Sequence, residues 1–268
     1  MTSLLRADIR RLLQVKNGTH WFLIVLLAMI LINAIVMPWL IKTFSDAVGE
    51  STGTLGYASP LEFAASLLWF GFLSLLCSLR MASLAWADMR SGFNRGIISS
   101  CGKKTYYLEK LLLALVVSFA FTVLGVALGS VIAAVSSGFD GVGSVPALAL
   151  WIVLVTLACW ACAAATLAIL WLFKSNVLAY LIGISLGSGL ISTIVSLAFM
   201  SVPELANAWS EVAAWFPAGA FSTLSGEYLI NGEFALSAMG FAHVLLPTAV
   251  CLAFAYICAI AVLCKRDL

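Results

Sequence analysis

An all-α membrane bundle of about six spans is the fold class this sequence predicts, and three observations carry it. Of 268 residues, 63% are hydrophobic and only 10% charged, against about 25% charged in a soluble domain. Six apolar runs approach or exceed the roughly 20 residues that cross a hydrocarbon core of about 30 Å as a helix. The basic residues fall almost entirely on one side of those runs. A soluble globule is therefore excluded. In lipid every backbone polar group must be bonded within its own segment or a closed barrel, and runs this long favour helices.

The elements follow in order. Residues 1–20 read as an amphipathic helix on the membrane surface, because Leu4, Leu5, Ile9, Leu12 and Leu13 alternate with Arg6, Arg10 and Arg11 at helical spacing after Thr2 and Ser3 as caps. A frayed polar tail is the alternative. Spans are expected at 21–41, 63–79, 111–135, 147–173, 177–200 and 244–263. The first lacks an Ala-x-Ala cleavage site and is expected to remain as an anchor. The short connection Lys174, Ser175, Asn176 makes the fourth and fifth spans an antiparallel pair. The segment 202–241, with Pro203, Trp209, Trp215, Phe216 and Pro217 between its glutamates, is too apolar for a solvated loop and reads as short interfacial or re-entrant helices.

Orientation comes from Lys and Arg, which cytoplasmic loops hold in excess. Of the 14 basic residues only Lys42 lies on the far side, where Asp46, Glu50, Glu62, Asp140, Glu204, Glu211, Glu227 and Glu233 gather. Both termini are expected in the cytoplasm of a chain embedded in the cell membrane. Trp21, Trp39, Trp86, Trp151 and Trp171 sit near span ends and suit interfacial belts. A net charge of +2 gives no reason to expect a nucleic-acid partner. Seven cysteines scattered through apolar runs imply no disulfide framework.

The second basic loop is the informative stretch. Residues 88–110 read DMRSGFNRGIISSCGKKTYYLEK. Met89, Phe93, Ile97 and Ile98 fall near one helical face while Arg90, Asn94 and Arg95 stay polar, so a short amphipathic helix is expected, ended by Gly102. Such a helix can dock a partner or lie on lipid headgroups. In this loop the chain resembles the permease subunits of type 2 ATP-binding-cassette exporters, the bacterial multidrug, peptide and antibiotic efflux type. Asp88, Gly92, Arg95, Ser99, Gly102, Lys104, Tyr107 and Lys110 match that family's pattern in order, with Asp88 where Glu is common and Phe93 where a small or β-branched residue is usual. The resemblance implies that 88–107 is a coupling helix seated on an ATPase subunit. It also implies two ATPase copies, a second permease subunit of the same or a homologous chain, and an amphipathic or hydrophobic cargo. No cofactor would be bound by this chain; ATP and magnesium would sit on the partner. The nearest phosphate loop, residues 96–105, has one residue too many between its glycines, Lys104 where Ser or Thr should hold magnesium, and no preceding strand.

Other patterns have plainer readings. Gly183, Ser185 and Gly187 form a Gly-x-Ser-x-Gly that could pair Ser185 with His243 in an intramembrane serine hydrolase. The same glycines with Ser188 form a small-residue stripe for helix packing, favoured here because the nucleophile motif lacks its strand-turn-helix setting. By the resemblance, Gly183, Gly187 and Ser188 would help join two permease subunits. A non-transporting membrane scaffold is the third class. His243 reads as a polar interfacial residue, Cys159 and Cys162 as core filler without the partners of a zinc site, and Arg80 as a snorkelling side chain.

Overall fold

In the computed structural model, which describes residues 2–13, 19–48, 57, 59–68, 71–92, 98–99, 102–139, 141, 143–199, 202–225, 229–230, 233–234 and 236–265, the chain is a helical bundle. Helix α1 (Thr2–Leu13) precedes α2 (Thr19–Leu31), which runs through a π turn (Ile32–Val36) into α3 (Met37–Val48). Then come α4 (Pro60–Ser66), α5 (Phe72–Arg90), α6 (Lys103–Ser136), α7 (Val145–Phe173), α8 (Asn176–Ser188) and α9 (Leu190–Phe199). Helices α10 (Pro203–Ala213) and α11 (Pro217–Leu224) and a hairpin pairing Leu229–Ile230 with Glu233–Phe234 lead to α12 (Ala238–Lys265). Among the described residues, five stretches are long and apolar enough to cross a membrane: His20–Phe44, Phe72–Arg90, Lys103–Ser136, Val145–Phe173 and Ala238–Val262. The bent pair α8–α9 makes a sixth if counted as one span. The chain is thus a multi-pass membrane protein.

The hub is α7, which packs against α5, α6, α8 and α12. Its run of Ala161, Ala163, Ala164, Ala165 and Ala168 is buried, and small side chains let backbones approach where lipid provides no hydrophobic drive between helices. Two indoles pin the hub: Trp151 Nε1 donates to the Leu224 carbonyl and Trp160 Nε1 to that of Leu111, both at 2.8 Å. Trp151 and Trp171 are therefore buried in the bundle, whereas Trp21 and Trp39 stay exposed as a belt would need.

Two expected spans are interrupted. The run 63–79 is divided between α4 and α5, because Ser59 caps a new helix at Pro60, accepting from the Glu62 amide at 3.3 Å, and Gly71 leaves helical geometry at φ +63°. A Cβ on Gly71 would lie 1.8 Å from the Gly187 carbonyl oxygen, so only glycine fits this crossing. Helix α5 then continues to Arg90 with Arg80 inside it, 1% exposed and stacked 5.6 Å above the Phe22 ring. The snorkelling expected of Arg80 does not occur, because α2 covers it. The run 177–200 bends by 65° at Gly189, whose φ is +69°.

The π turn in the first span releases carbonyls from the helical ladder. Tyr57 Oη donates to the Asn33 carbonyl at 2.7 Å and Ser136 Oγ to that of Ala34 at 3.1 Å, so the turn is satisfied from two other segments. In the segment 202–241, α11 is drawn into the bundle through Phe221 and Leu224. Helix α10 instead folds back on α9, with Trp209 Nε1 donating to the Ser192 carbonyl at 3.2 Å and its ring against Phe199 and Phe216.

Candidate functional site

At the basic end of the bundle, three helices converge on a buried ion network. Helix α1 supplies Asp8 and Arg11. Asp8 lies on the face that also carries Leu5, Ile9 and Leu12, since residues three and four apart share a helix face. The last turns of α5 supply Asp88. The start of α6 supplies Tyr106, Glu109 and Lys110, and the 106/110/113/117 spacing places Tyr106 and Lys110 on the same stripe as core residues Leu113 and Val117.

Arg11 bridges two carboxylates: its Nη2 donates to Asp88 Oδ1 at 2.7 Å and its Nη1 to Asp8 Oδ1 at 3.2 Å. Lys110 Nζ pairs with Asp88 Oδ2 at 2.8 Å, donates to Asp8 Oδ2, and lies 3.9 Å from Glu109 Oε2. It also sits 5.4 Å from the centre of the Tyr106 ring. Asp8, Asp88, Glu109 and Lys110 are all buried. Burial by itself would lower the pKa of the Arg11 guanidinium, but the hydrogen bond and charge of Asp88, joined by Asp8, more than reverse this and raise it. Charges this deep are tolerated only as hydrogen-bonded pairs, and removing one member strands the other. The network therefore holds α1, α5 and α6 as one unit at the root of the 91–102 connection.

Seven of the eight residues picked out in the loop divide into two groups. Asp88 and Lys110 meet inside the network, and Tyr107 is buried edge-on against Trp171 with ring centres 4.6 Å apart. Ser99, Gly102 and Lys104 are exposed, and Gly92 sits in a turn at φ +71° with no described residue within 4 Å of a Cβ position. Arg95, with the rest of residues 93–97 on which the amphipathic helix depends, lies outside the described residues. Lys104 and Thr105 stand in the first turn of α6.

The glycine stripe of α8 is used within the chain. Gly183 faces Thr166 and Ser78, and Gly187 faces Ser74 and Gly71. Ser188 Oγ donates to the Ile184 carbonyl at 2.7 Å. Where α5, the α8–α9 bend and α11 meet, Gly71, Gly187, Ser188, Phe221 and Ser222 line a cavity of about 260 Å³. Ser185 and His243 are engaged separately: Ser185 Oγ donates to the Leu181 carbonyl at 2.8 Å, and the His243 ring meets Trp215 edge-on at 4.5 Å. Cys159 and Cys162 are buried in the core beside Cys77, and among the described residues no group of His, Cys, Asp and Glu could hold a metal ion.

Sequence reasoning missed Asp8, Arg11, Tyr106 and Glu109. One signal for Asp8 was present, since it is the lone acid among the amino-terminal basic residues and falls on the apolar face of its helix. Fold and network together define a multi-pass helical membrane protein with an ion-paired joint at one end of the bundle. No protein family, curated protein or solved structure matches the chain.

Proposed function

We propose that the chain is the membrane-spanning permease subunit of an ATP-binding-cassette exporter, working with a second permease subunit and driven by two copies of a separate ATPase. The observation that carries this reading is the joint at the root of the 91–102 connection. A force applied to that connection meets the Asp88–Lys110 pair at 2.8 Å and the Arg11–Asp88 bond at 2.7 Å, so it reaches α5, α6 and α1 together. On this reading Gly92, Arg95, Ser99, Gly102 and Lys104 meet the ATPase, while Asp88, Tyr107 and Lys110 pass the movement inward. The ATPase binds ATP and magnesium and lies in the cytoplasm, with both termini of this chain.

The cargo is amphipathic or hydrophobic, such as a peptide, antibiotic, drug or lipid-linked molecule.

The test is to purify the tagged chain in mild detergent from the membranes that express it. An ATPase carrying a phosphate-binding loop is expected to copurify in equal amount, and Lys104→Glu to abolish that association while the bundle stays folded. Lack of any such ATPase in wild-type preparations would overturn the reading. So would a membrane hydrolase activity lost in Ser185→Ala with assembly intact.

A further inference from the structure

Among the described residues, the ion network holds three carboxylates, Asp8, Asp88 and Glu109, against two cations, Arg11 and Lys110. Both cations pair with Asp8 and Asp88. Glu109 is 0% exposed, and neither of its oxygens has a hydrogen-bond partner among the described residues; its nearest cation is Lys110 at 3.9 Å. An ionised carboxylate without donors is the most unfavourable form such a buried group can take. Lys110 Nζ gathers the Asp8, Asp88 and Glu109 carboxyls around itself, and carboxyls crowded together do not all stay ionised, because each added charge is repelled by the others.

We propose that this network binds one exchangeable proton, carried by the Glu109 carboxyl, and that the docking of α1 on the bundle is linked to it. With the proton bound, two cations face two carboxylates and the network is neutral; when the proton leaves to solvent, a net charge of −1 remains. The charged groups against Glu109 are Lys110 on its own helix, Asp8 on α1 and Asp88 on α5. Arg11 on α1 and Tyr106 on α6 close the network around them. Asp8 and Arg11 leave together with α1, one acid and one cation, so undocking does not alter the charge balance around Glu109 but takes a neighbouring carboxyl away from it and opens the network to water, which removes the reason to hold the proton. The docked state therefore binds one proton more than the undocked state, and docking weakens as pH rises, by at most about tenfold per pH unit for a single proton. This inference stands whether or not an ATPase drives the chain.

The experiment uses the full chain in lipid nanodiscs across about pH 5 to 9, a range in which a perturbed carboxyl can titrate. Infrared difference spectra are expected to show a protonated-carboxyl band that fades as pH rises and is missing in Glu109→Gln. The protection factor of the α1 amides, which is the exchange rate corrected for its intrinsic base-catalysed pH dependence, is expected to fall several-fold over the same range in wild type. It should stay high and independent of pH in Glu109→Gln, whose neutral amide stands in for the protonated acid. If Glu109→Gln does not fold, the wild-type spectra and exchange decide the matter alone. A missing wild-type band, a band retained in Glu109→Gln, or an α1 protection factor without pH dependence would each overturn the proposal.

Discussion

Lys110 has no water to fall back on: its side chain is 0% exposed and its ammonium lies among Asp8, Asp88 and the Tyr106 ring. Replacing it by Met leaves two buried carboxylates with one shared cation, Arg11. Lys110→Met is therefore expected to destabilise the bundle by about 3–5 kcal/mol, the usual result of stranding one side of a buried ion pair. Thermal unfolding in detergent would register this as a markedly lower Tm. Lys104→Met, on the exposed side of the same helix, should stay within about 0.5 kcal/mol of wild type. A shift of similar size in both variants would mean that the network does not hold α1, α5 and α6 together. The sequence shows all five charges near the ends of apolar runs, but nothing local tells that Arg11 and Asp88, 77 residues apart, share a hydrogen bond. What was legible was the helical spacing that puts Asp8 among leucines.

Whole elements diverge from the hydropathy pattern where backbone geometry intervenes. A window average runs smoothly across Gly71 and Gly189, yet both take positive φ and break the helices there. The same average ends the second span near Arg80, whereas α5 continues to Arg90 because α2 covers the guanidinium and the network covers Asp88. Two glycines with nearly the same φ separate conformational strain from crowding. Gly92→Ala meets no described residue and should cost about 1–2 kcal/mol from the left-handed backbone alone. Gly71→Ala carries the same strain and also drives a methyl into the Gly187 carbonyl, so α5 and α8 must separate. Its loss should exceed that of Gly92→Ala by a further 1–3 kcal/mol or so, the usual range for overpacking. Equal melting shifts in the two variants would count against the close α5–α8 crossing.

For the molecule as a whole, the lopsided charge makes a prediction about sidedness. Single cysteines introduced at Arg6 and Lys174 should react with a membrane-impermeant maleimide only from the cytoplasmic side, and those at Lys42 and Glu204 only from the opposite side. Reaction of Arg6→Cys and Lys174→Cys from different sides would sink the proposed orientation. The sequence by itself determined that this is a multi-pass helical membrane protein, because length and apolarity decide what can cross a bilayer and those quantities are local. It also marked the 88–110 loop as unusual, through residue types that need no fold to be read. It took the packing of the helices to show that Asp88 and Lys110 face inward, that the glycines of α8 pack against their own chain, and that Glu109 has no donor among the described residues. Each of these depends on which helices lie side by side, and that is settled by contacts between residues far apart in the chain, where no spacing rule reaches.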